Sequence, residues 1–294
     1  MKPYVSFLIP CFNYARYLRE CLDSILNQSF TNFEVLILDD ASTDETPELA
    51  REIAATDSRV QYYRHEKNIG HLNNYNFGIQ KAQGELIWLI SADDYLASGT
   101  ILESFTQQFQ AHPQLGYAFC RVQCMDEHSN PYPKFIPRLE EKSLSSEPHL
   151  YPGRALFREL VKGNFIPAPS VLARKACYQQ YGHFHSELTH SGDWYNWLLF
   201  SLDWDVYYDP EPKVYYRKHN QNMHMTYQKP RHALDNSLLC YLELEKFLKK
   251  HQYPAVLLRS AYLAKLYFMK KNGYPVSPLG KLFLLYGKMM RHLA

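Results

Sequence analysis

Two adjacent carboxylates, Asp93 and Asp94, stand where an apolar run stops. The run, Ile87-Trp88-Leu89-Ile90, has the length and composition of a buried strand. Carboxylates at the end of such a strand are costly unless positive charge meets them there. Hard oxygen ligands suit Mg²⁺ or Mn²⁺, which commonly arrives bridged to phosphate oxygens. A turn that caps the next helix would use the same residue types, and this stretch alone leaves both readings open.

The elements that must position these groups follow from the pattern upstream. Val5 to Pro10 reads as a strand ended by proline, and Leu18, Leu22 and Ile25 form one stripe of a helix that Asn13 would cap. Phe33 to Leu38 is a second strand, ending at Asp39-Asp40, and Thr46-Pro47 opens a second helix as cap and first residue. Val60 to Arg64 is a third strand. Asn68-Ile69-Gly70 then leads into a helix that runs to Gln83, with Gly84 as its stop. Strands alternating with helices imply βαβ units and a parallel sheet. Right-handed crossovers bring every strand's C-terminal end to one edge, so Asp40 and Asp93 would line one crevice.

Several function classes are disfavoured. The first strand turns through Pro10-Cys11-Phe12-Asn13, without the glycine-rich cradle of a dinucleotide oxidoreductase or a P-loop kinase. With 32 Lys and Arg against 30 Asp and Glu, the 294 residues carry no basic footprint for nucleic acid. The six cysteines form no CxxC pair, which argues against structural zinc and suggests a reducing compartment. No leader-like start and no long apolar window occur, so a cytoplasmic protein without membrane spans is expected. The 24 tyrosines supply rings suited to stacking on sugars or bases.

Taken in order, these motifs resemble one family. Val5 to Tyr14, Leu26-Asn27-Gln28-Ser29-Phe30, Phe33 to Asp44, Asn68-Ile69-Gly70, Lys81 to Glu85 and Ser91 to Asp94 look like the N-terminal half of family 2 glycosyltransferases. The resemblance extends over about residues 4–225. It implies a GT-A fold, an α/β architecture whose Rossmann-like, mainly parallel sheet binds a nucleotide-diphosphate sugar. By that resemblance Asp40 would meet the nucleobase, usually uracil. Pro10, Asn13 and Asn68 would flank the nucleotide, and Asp94 would support Asp93 or reach the ribose or sugar. Asp93 resembles the last acid of the DxD metal motif, holding Mn²⁺ or Mg²⁺ against the diphosphate. Ser91 replaces the motif's first acid, which implies a weaker or different metal contact.

Farther along, Thr100 to Ala111 reads as a helix and Gly116 to Cys124 as a strand. Asp126 to Pro152 reads as a surface segment near an acceptor. Arg154 to Lys162 has helical spacing, and Ser170-Val171-Leu172 a short strand. His190 to Trp197 resembles the family's ED-W motif, which makes Asp193 the general base of an inverting transfer and Trp194 a floor for the acceptor sugar. A helix cap with Trp194 and Trp197 in the core is the equally available reading of those positions. Gly192 stands where the motif has an acid. Tyr215 to Asn222 matches the closing Y-R-x-H-x-x-N segment, which assigns His219 to the metal or phosphates and Arg217 to the leaving group's charge.

The expected organisation is a catalytic domain over residues 1–227 and a helical extension over 228–294. Residues 1–125 would form the nucleotide-sugar half of the domain and 126–227 the acceptor half. Arg231 to Lys250 and Ala255 to Lys271 have helical periodicity, and residues 279–293 mix Leu, Phe and Met with Lys and Arg, a pattern that fits equally a helix lying on a membrane's inner face and one packed against the catalytic domain or a second subunit. No Q-x-x-R-W signature of processive synthases occurs, so a single sugar would be added to a glycan or lipid-linked acceptor. A sugar-nucleotide-binding protein without turnover is the competing reading, motivated by Ser91 and Gly192. Binding without transfer over a broad acceptor panel would favour it.

Overall fold

The structure, a computed structural model, describes residues 2–132, 144–219, 222 and 230–276. Four strands, β1 (Val5–Cys11), β2 (Phe33–Asp39), β3 (Val60–Arg64) and β4 (Leu86–Leu89), are mutually parallel in the order β3-β2-β1-β4. Helices α1 (Ala15–Leu26), α2 (Thr46–Thr56) and α3 (His71–Lys81) make the crossovers. A two-residue strand, β5 (Tyr95–Leu96), and α4 (Ile101–Ala111) follow, then β6 (Leu115–Met125), β7 (His149–Tyr151), α5 (Gly153–Leu160), β8 (Val171–Arg174) and α6 (Lys175–Tyr181). The chain continues through α7 (Gly192–Phe200), β9 (Asp205–Arg217), α8 (Pro230–Lys250) and α9 (Ala255–Lys271).

The sheet continues past β4 as β8-β6-β9-β5, with β7 on β9. β8 runs antiparallel to both β4 and β6, so β6 and β9 point the same way as β1 to β4. The C-terminal ends of all six therefore share one edge, where Asp40, Asp93, Met125 and Arg217 arrive.

Alternation along the strands explains why both faces are covered. On β1 and β2, Val5, Phe7, Ile9, Phe33, Val35 and Ile37 join one apolar cluster with α1, α2 and α4, while Leu8, Leu36 and Leu38 join the other. That second cluster also takes in α3, α5 and α7, together with Cys240, Tyr241, Leu244 and Leu248 of α8 and Leu257 and Ala261 of α9. The C-terminal helices are thus built into the core beneath the sheet. Among the described residues no helix is long and apolar enough to cross a membrane. The amphipathic segment expected over 279–293 lies outside the described residues.

Several local expectations need correction. Asn13 does not cap α1: its φ is +59°, and its Oδ1 accepts the Thr43 amide at 2.7 Å. The Ala15 amide at the helix start is met instead by Asp44 Oδ2 at 3.0 Å. Asp44 Oδ1 likewise accepts the Thr46 amide, so Thr46 is the first residue of α2 rather than its cap. Gly84 is not a left-handed helix stop, since its φ is not positive; α3 ends at Lys81, with Ala82 as its cap. Its hydrogen is required because a Cβ there would stand 2.6 Å from the Ser6 amide nitrogen.

Four elements, β5, β7, β9 and α6, carry no signal in the sequence pattern, and β7 falls inside the stretch Asp126 to Pro152 expected as a surface segment. β9 contains Pro210 and Pro212, which argue against a long strand. The ladder accommodates them by a register shift between the Cys120–Asp209 and Arg121–Pro212 pairs. The short helix α6 lacks a side-chain cap to announce it.

Candidate active site

The end of β1 organises the crevice. Its Cys11 carbonyl accepts the Asp40 amide at 2.9 Å and its Pro10 carbonyl the Ala92 amide at 3.2 Å. The two segments bearing Asp40 and Asp93 are thereby pinned to either side of one strand end. Asp40 accepts the Ile69 and Gly70 amides at 2.7 and 3.0 Å, and Asn68 Oδ1 accepts Gly70 as well. Each Asp40 oxygen keeps a second lone pair. Phe12, 44 % exposed, projects from this edge beside Asn13.

Asp93 is buried and meets the segment that follows β9. His219 Nε2 lies 3.0 Å from its Oδ2, and Asn222 Nδ2 donates to the same oxygen at 2.9 Å. Asn222 Oδ1 in turn accepts the His219 amide. The other carboxylate oxygen, Asp93 Oδ1, is buried with no hydrogen-bond partner. A buried carboxylate oxygen left without a donor is costly, and a cation relieves that cost. Among the described residues no three acidic, His or Cys side chains cluster as a complete metal cage. Asp93 and His219 would therefore leave most coordination positions to diphosphate oxygens and water, the habit of Mg²⁺ and Mn²⁺ at nucleotides. Asp94 accepts the Arg217 amide at 2.9 Å, while burial and the neighbouring Asp93 push its carboxyl well above the usual range.

Arg217 does not line the crevice, contrary to its assignment to the leaving group. Only 1 % exposed, its guanidinium pairs with Glu20, donates to Ser129 Oγ at 2.9 Å and, through Nε, to the Asp93 carbonyl at 2.8 Å. It also lies 4.5 Å from the Tyr17 ring centroid. All of its donors face protein, so it ties β9 to α1 behind the acids. We expect Arg217→Met to lower stability by about 3 kcal/mol, read by urea unfolding, because Glu20 loses its partner and the carbonyls their donors. Unchanged unfolding with lost turnover would return Arg217 to the leaving group.

Asp193 sits in the first turn of α7. Its Oδ1 accepts the Trp194 amide at 2.7 Å and its Oδ2 the Asn164 side-chain amide at 3.0 Å. Burial pushes its pKa up to about 6, against those two hydrogen bonds. Trp194 is not an acceptor platform. It is 4 % exposed, donates its indole N–H to Leu160 O at 2.8 Å and packs edge-on against Tyr241.

What joins the two groups of acids is a pair of tyrosines that sequence reasoning missed. Tyr75 on α3 and Tyr216 on β9 are both held far above the usual phenol range, first by burial and then by Asp93, Asp94 and Asp193 together. Tyr14, shifted up by burial and then by Asp93 and Asp94, stacks edge-on against His219 with ring centroids 5.6 Å apart. Tyr14 and Tyr216 fall inside the family-like motifs but are not distinguished there from the other tyrosines, and Tyr75 falls in none.

Residues 6–178 match the family model described as glycosyl transferase family 2. The chain belongs to that family. This glycosyltransferase is 28 % identical to an uncharacterized glycosyltransferase of Rickettsia typhi, over 93 % of this chain and 82 % of that one. It is 33 % identical to an uncharacterized glycosyltransferase of Haemophilus influenzae over 41 % of this chain, a match spanning half the length of that relative. Its fold is similar to S. aureus TarS 1-349, solved in complex with UDP-GlcNAc, with a TM-score of 0.64 at 17 % identity over 91 % of this chain and 81 % of that one. It is also similar to the mannosyltransferase PcManGT of Pyrobaculum calidifontis, solved with GDP-Man and Mn²⁺, with a TM-score of 0.59 at 16 % identity over 99 % of this chain and 81 % of that one. The glycosyltransferase therefore has the GT-A fold anticipated from its motifs.

Proposed function

We propose that this glycosyltransferase moves a sugar, with inversion, from a nucleotide-diphosphate donor to a hydroxyl of a glycan or lipid-linked acceptor. The observation that carries the reading is that one pair of tyrosines, Tyr75 and Tyr216, feels the charges of both Asp193 and the Asp93–Asp94 pair, so the candidate base and the candidate diphosphate acids stand near a common place. An in-line displacement needs a base and a leaving-group site within reach of one reacting centre. Asp193 removes the acceptor hydroxyl's proton as that oxygen attacks the anomeric carbon, and a pKa of about 6 suits a base working near neutrality.

On the donor side, Asp40, Pro10, Asn13 and Asn68 frame the nucleotide, and Phe12 offers an exposed ring for the base. Asp93 and His219 would hold the divalent cation, which when bound supplies positive charge to the departing diphosphate. Asp94 fixes the Arg217 amide and so the direction in which His219 leaves the sheet. That one structural neighbour carries UDP-GlcNAc and another GDP-Man with Mn²⁺ is compatible with such a site.

Calorimetric titration with UDP, dTDP and GDP, each with and without Mn²⁺, tests the donor side. One nucleotide is expected to bind at least tenfold tighter with the metal present. Equal affinity with and without Mn²⁺ would remove the cation from the scheme, and failure of all three to bind would remove the donor assignment.

A further inference from the structure

We propose that Asn236, on the C-terminal helix α8, is a positioning residue for the general base: it fixes the loop from which the Asp193 helix starts. The proposal rests on the reading of Asp193 given above. Helix α7 begins without a side-chain cap of its own, its cap residue being Ser191. The amides of the two residues ahead of it reach an acceptor on α8, and the Ser191 amide also lies 3.2 Å from the Leu188 carbonyl. Asn236 Oδ1 accepts the His190 amide at 3.0 Å and the Ser191 amide at 2.9 Å. Its Nδ2 donates to the Glu187 carbonyl at 2.8 Å. One buried carboxamide thus uses both ends to hold residues 187–191, two positions from the catalytic candidate.

Helix α8 also approaches Asp193 and the segment that hydrogen-bonds it. Cys240, four positions on from Asn236, shares its stripe of the helix, and Tyr241 stands next to it. Cys240 is buried, and burial first and then the Asp193 charge push its thiol well up. Tyr241 donates to the Val161 carbonyl at 2.9 Å, three residues before the Asn164 that holds Asp193 Oδ2, and its ring meets Trp194 edge-on at 5.1 Å. From α3, His71 Nε2 lies 3.1 Å from the Thr189 carbonyl and closes the opposite side of the loop. A helix that sequence patterning sets apart as an extension therefore holds both the loop before the base and the irregular segment after α5 that hydrogen-bonds it.

A base displaced by about 1 Å loses on the order of 10²-fold in rate, because proton removal and attack must coincide. Asn236→Ala should accordingly lower kcat by about 10- to 100-fold while leaving donor KM and nucleotide affinity within about twofold. Asn236→Asp keeps the two acceptor contacts but sets an oxygen against the Glu187 carbonyl in place of the donor, and should recover part of kcat. Tyr253→Phe is the control for a purely structural effect. Its hydroxyl anchors the same helical hairpin to Asp203, past the far end of α7, so its loss should lower Tm without lowering kcat.

Turnover is read as nucleoside diphosphate released from UDP-GlcNAc, UDP-glucose or GDP-mannose, and hydrogen exchange at the His190 and Ser191 amides gives a readout independent of turnover. Faster exchange at those amides, with kcat reduced and partly restored in Asn236→Asp, is the expected result. A kcat within twofold of the parent in Asn236→Ala, or an equal loss in Tyr253→Phe, or a matching collapse of nucleotide affinity, would overturn the proposal. If Asp193→Asn is inactive while Asn236→Ala is fully active, only the positioning role fails. Full activity in Asp193→Asn would instead remove the functional reading beneath it.

Discussion

Asp193→Asn is expected to lower turnover by about 10²- to 10⁴-fold, the range attributable to a positioned general base, with nucleoside diphosphate affinity unchanged. The amide has nearly the carboxylate's shape, so Trp194 and Asn164 keep a partner on at least one side. What disappears is the ability to take a proton. The parent enzyme's kcat should rise with pH through about 6, where burial places this carboxyl, and level off above it.

The same group makes an opposite demand on stability. A carboxyl whose folded pKa stands above its unfolded value stabilises the fold at low pH, where it is protonated. That contribution is lost as pH rises through about 6. Above that point the buried charge costs the fold roughly 2 kcal/mol, after discount for its partial solvation. The substitution recovers this but forfeits one hydrogen bond, worth about 1 kcal/mol. Asp193→Asn should therefore be about 1 kcal/mol more stable than the parent at pH 8, with the advantage fading below about pH 5. Urea unfolding at the two pH values measures it. A variant that turns over normally, or one destabilised at pH 8, would reduce Asp193 to a helix-start carboxylate. Stability withheld at a site and spent on reactivity is the usual trade at catalytic positions.

How far the sequence could be read follows from which interactions are local. The strands β1, β2 and β4 declare themselves because a sheet covered on both faces demands unbroken apolar runs, and the handedness of crossovers puts their C-terminal ends on one edge. Asp93 stands out because strand ends are where such a fold delivers side chains to a crevice, whereas Asp193 is reached only through its motif, since its position alone fits a helix cap equally well. His219 was legible only through its motif, and its pairing with Asp93 spans 126 residues. Arg217 illustrates the limit. An arginine two residues from a site histidine looks like a phosphate ligand, but the choice between crevice and core lies with Glu20 and Ser129, on segments far away in sequence. Trp194 fails for the same reason, since the carbonyl that takes its indole N–H belongs to Leu160. Asn236 was beyond reach altogether. A single buried amide among the apolar positions of a helix carries no periodic signal, and its three partners sit in an irregular loop.

Asp93→Asn separates a structural acid from a metal ligand. The amide's oxygen can take over the role of Oδ2 and accept from His219 and Asn222, so the local hydrogen-bond pattern survives. A purely structural Asp93 would then tolerate the change, and relief of its repulsion with Asp94 would make the variant slightly more stable. The oxygen that matters is Oδ1, buried with nothing donating to it. In the variant that position becomes an N–H₂ group without charge, which a cation cannot use. We expect the Mn²⁺-dependent gain in nucleotide affinity to vanish and turnover to fall by about 10³-fold, the several kcal/mol a cation supplies to a diphosphate leaving group. Metal-free affinity should stay within about twofold, because the contacts around Asp40 and Phe12 are untouched. Calorimetry on parent and variant, each with Mn²⁺ and with EDTA, gives the four values needed. Retained metal dependence would move the cation off Asp93. Loss of affinity in EDTA as well would mean that the amide disturbs the crevice itself, leaving the orphaned oxygen unexplained by a metal.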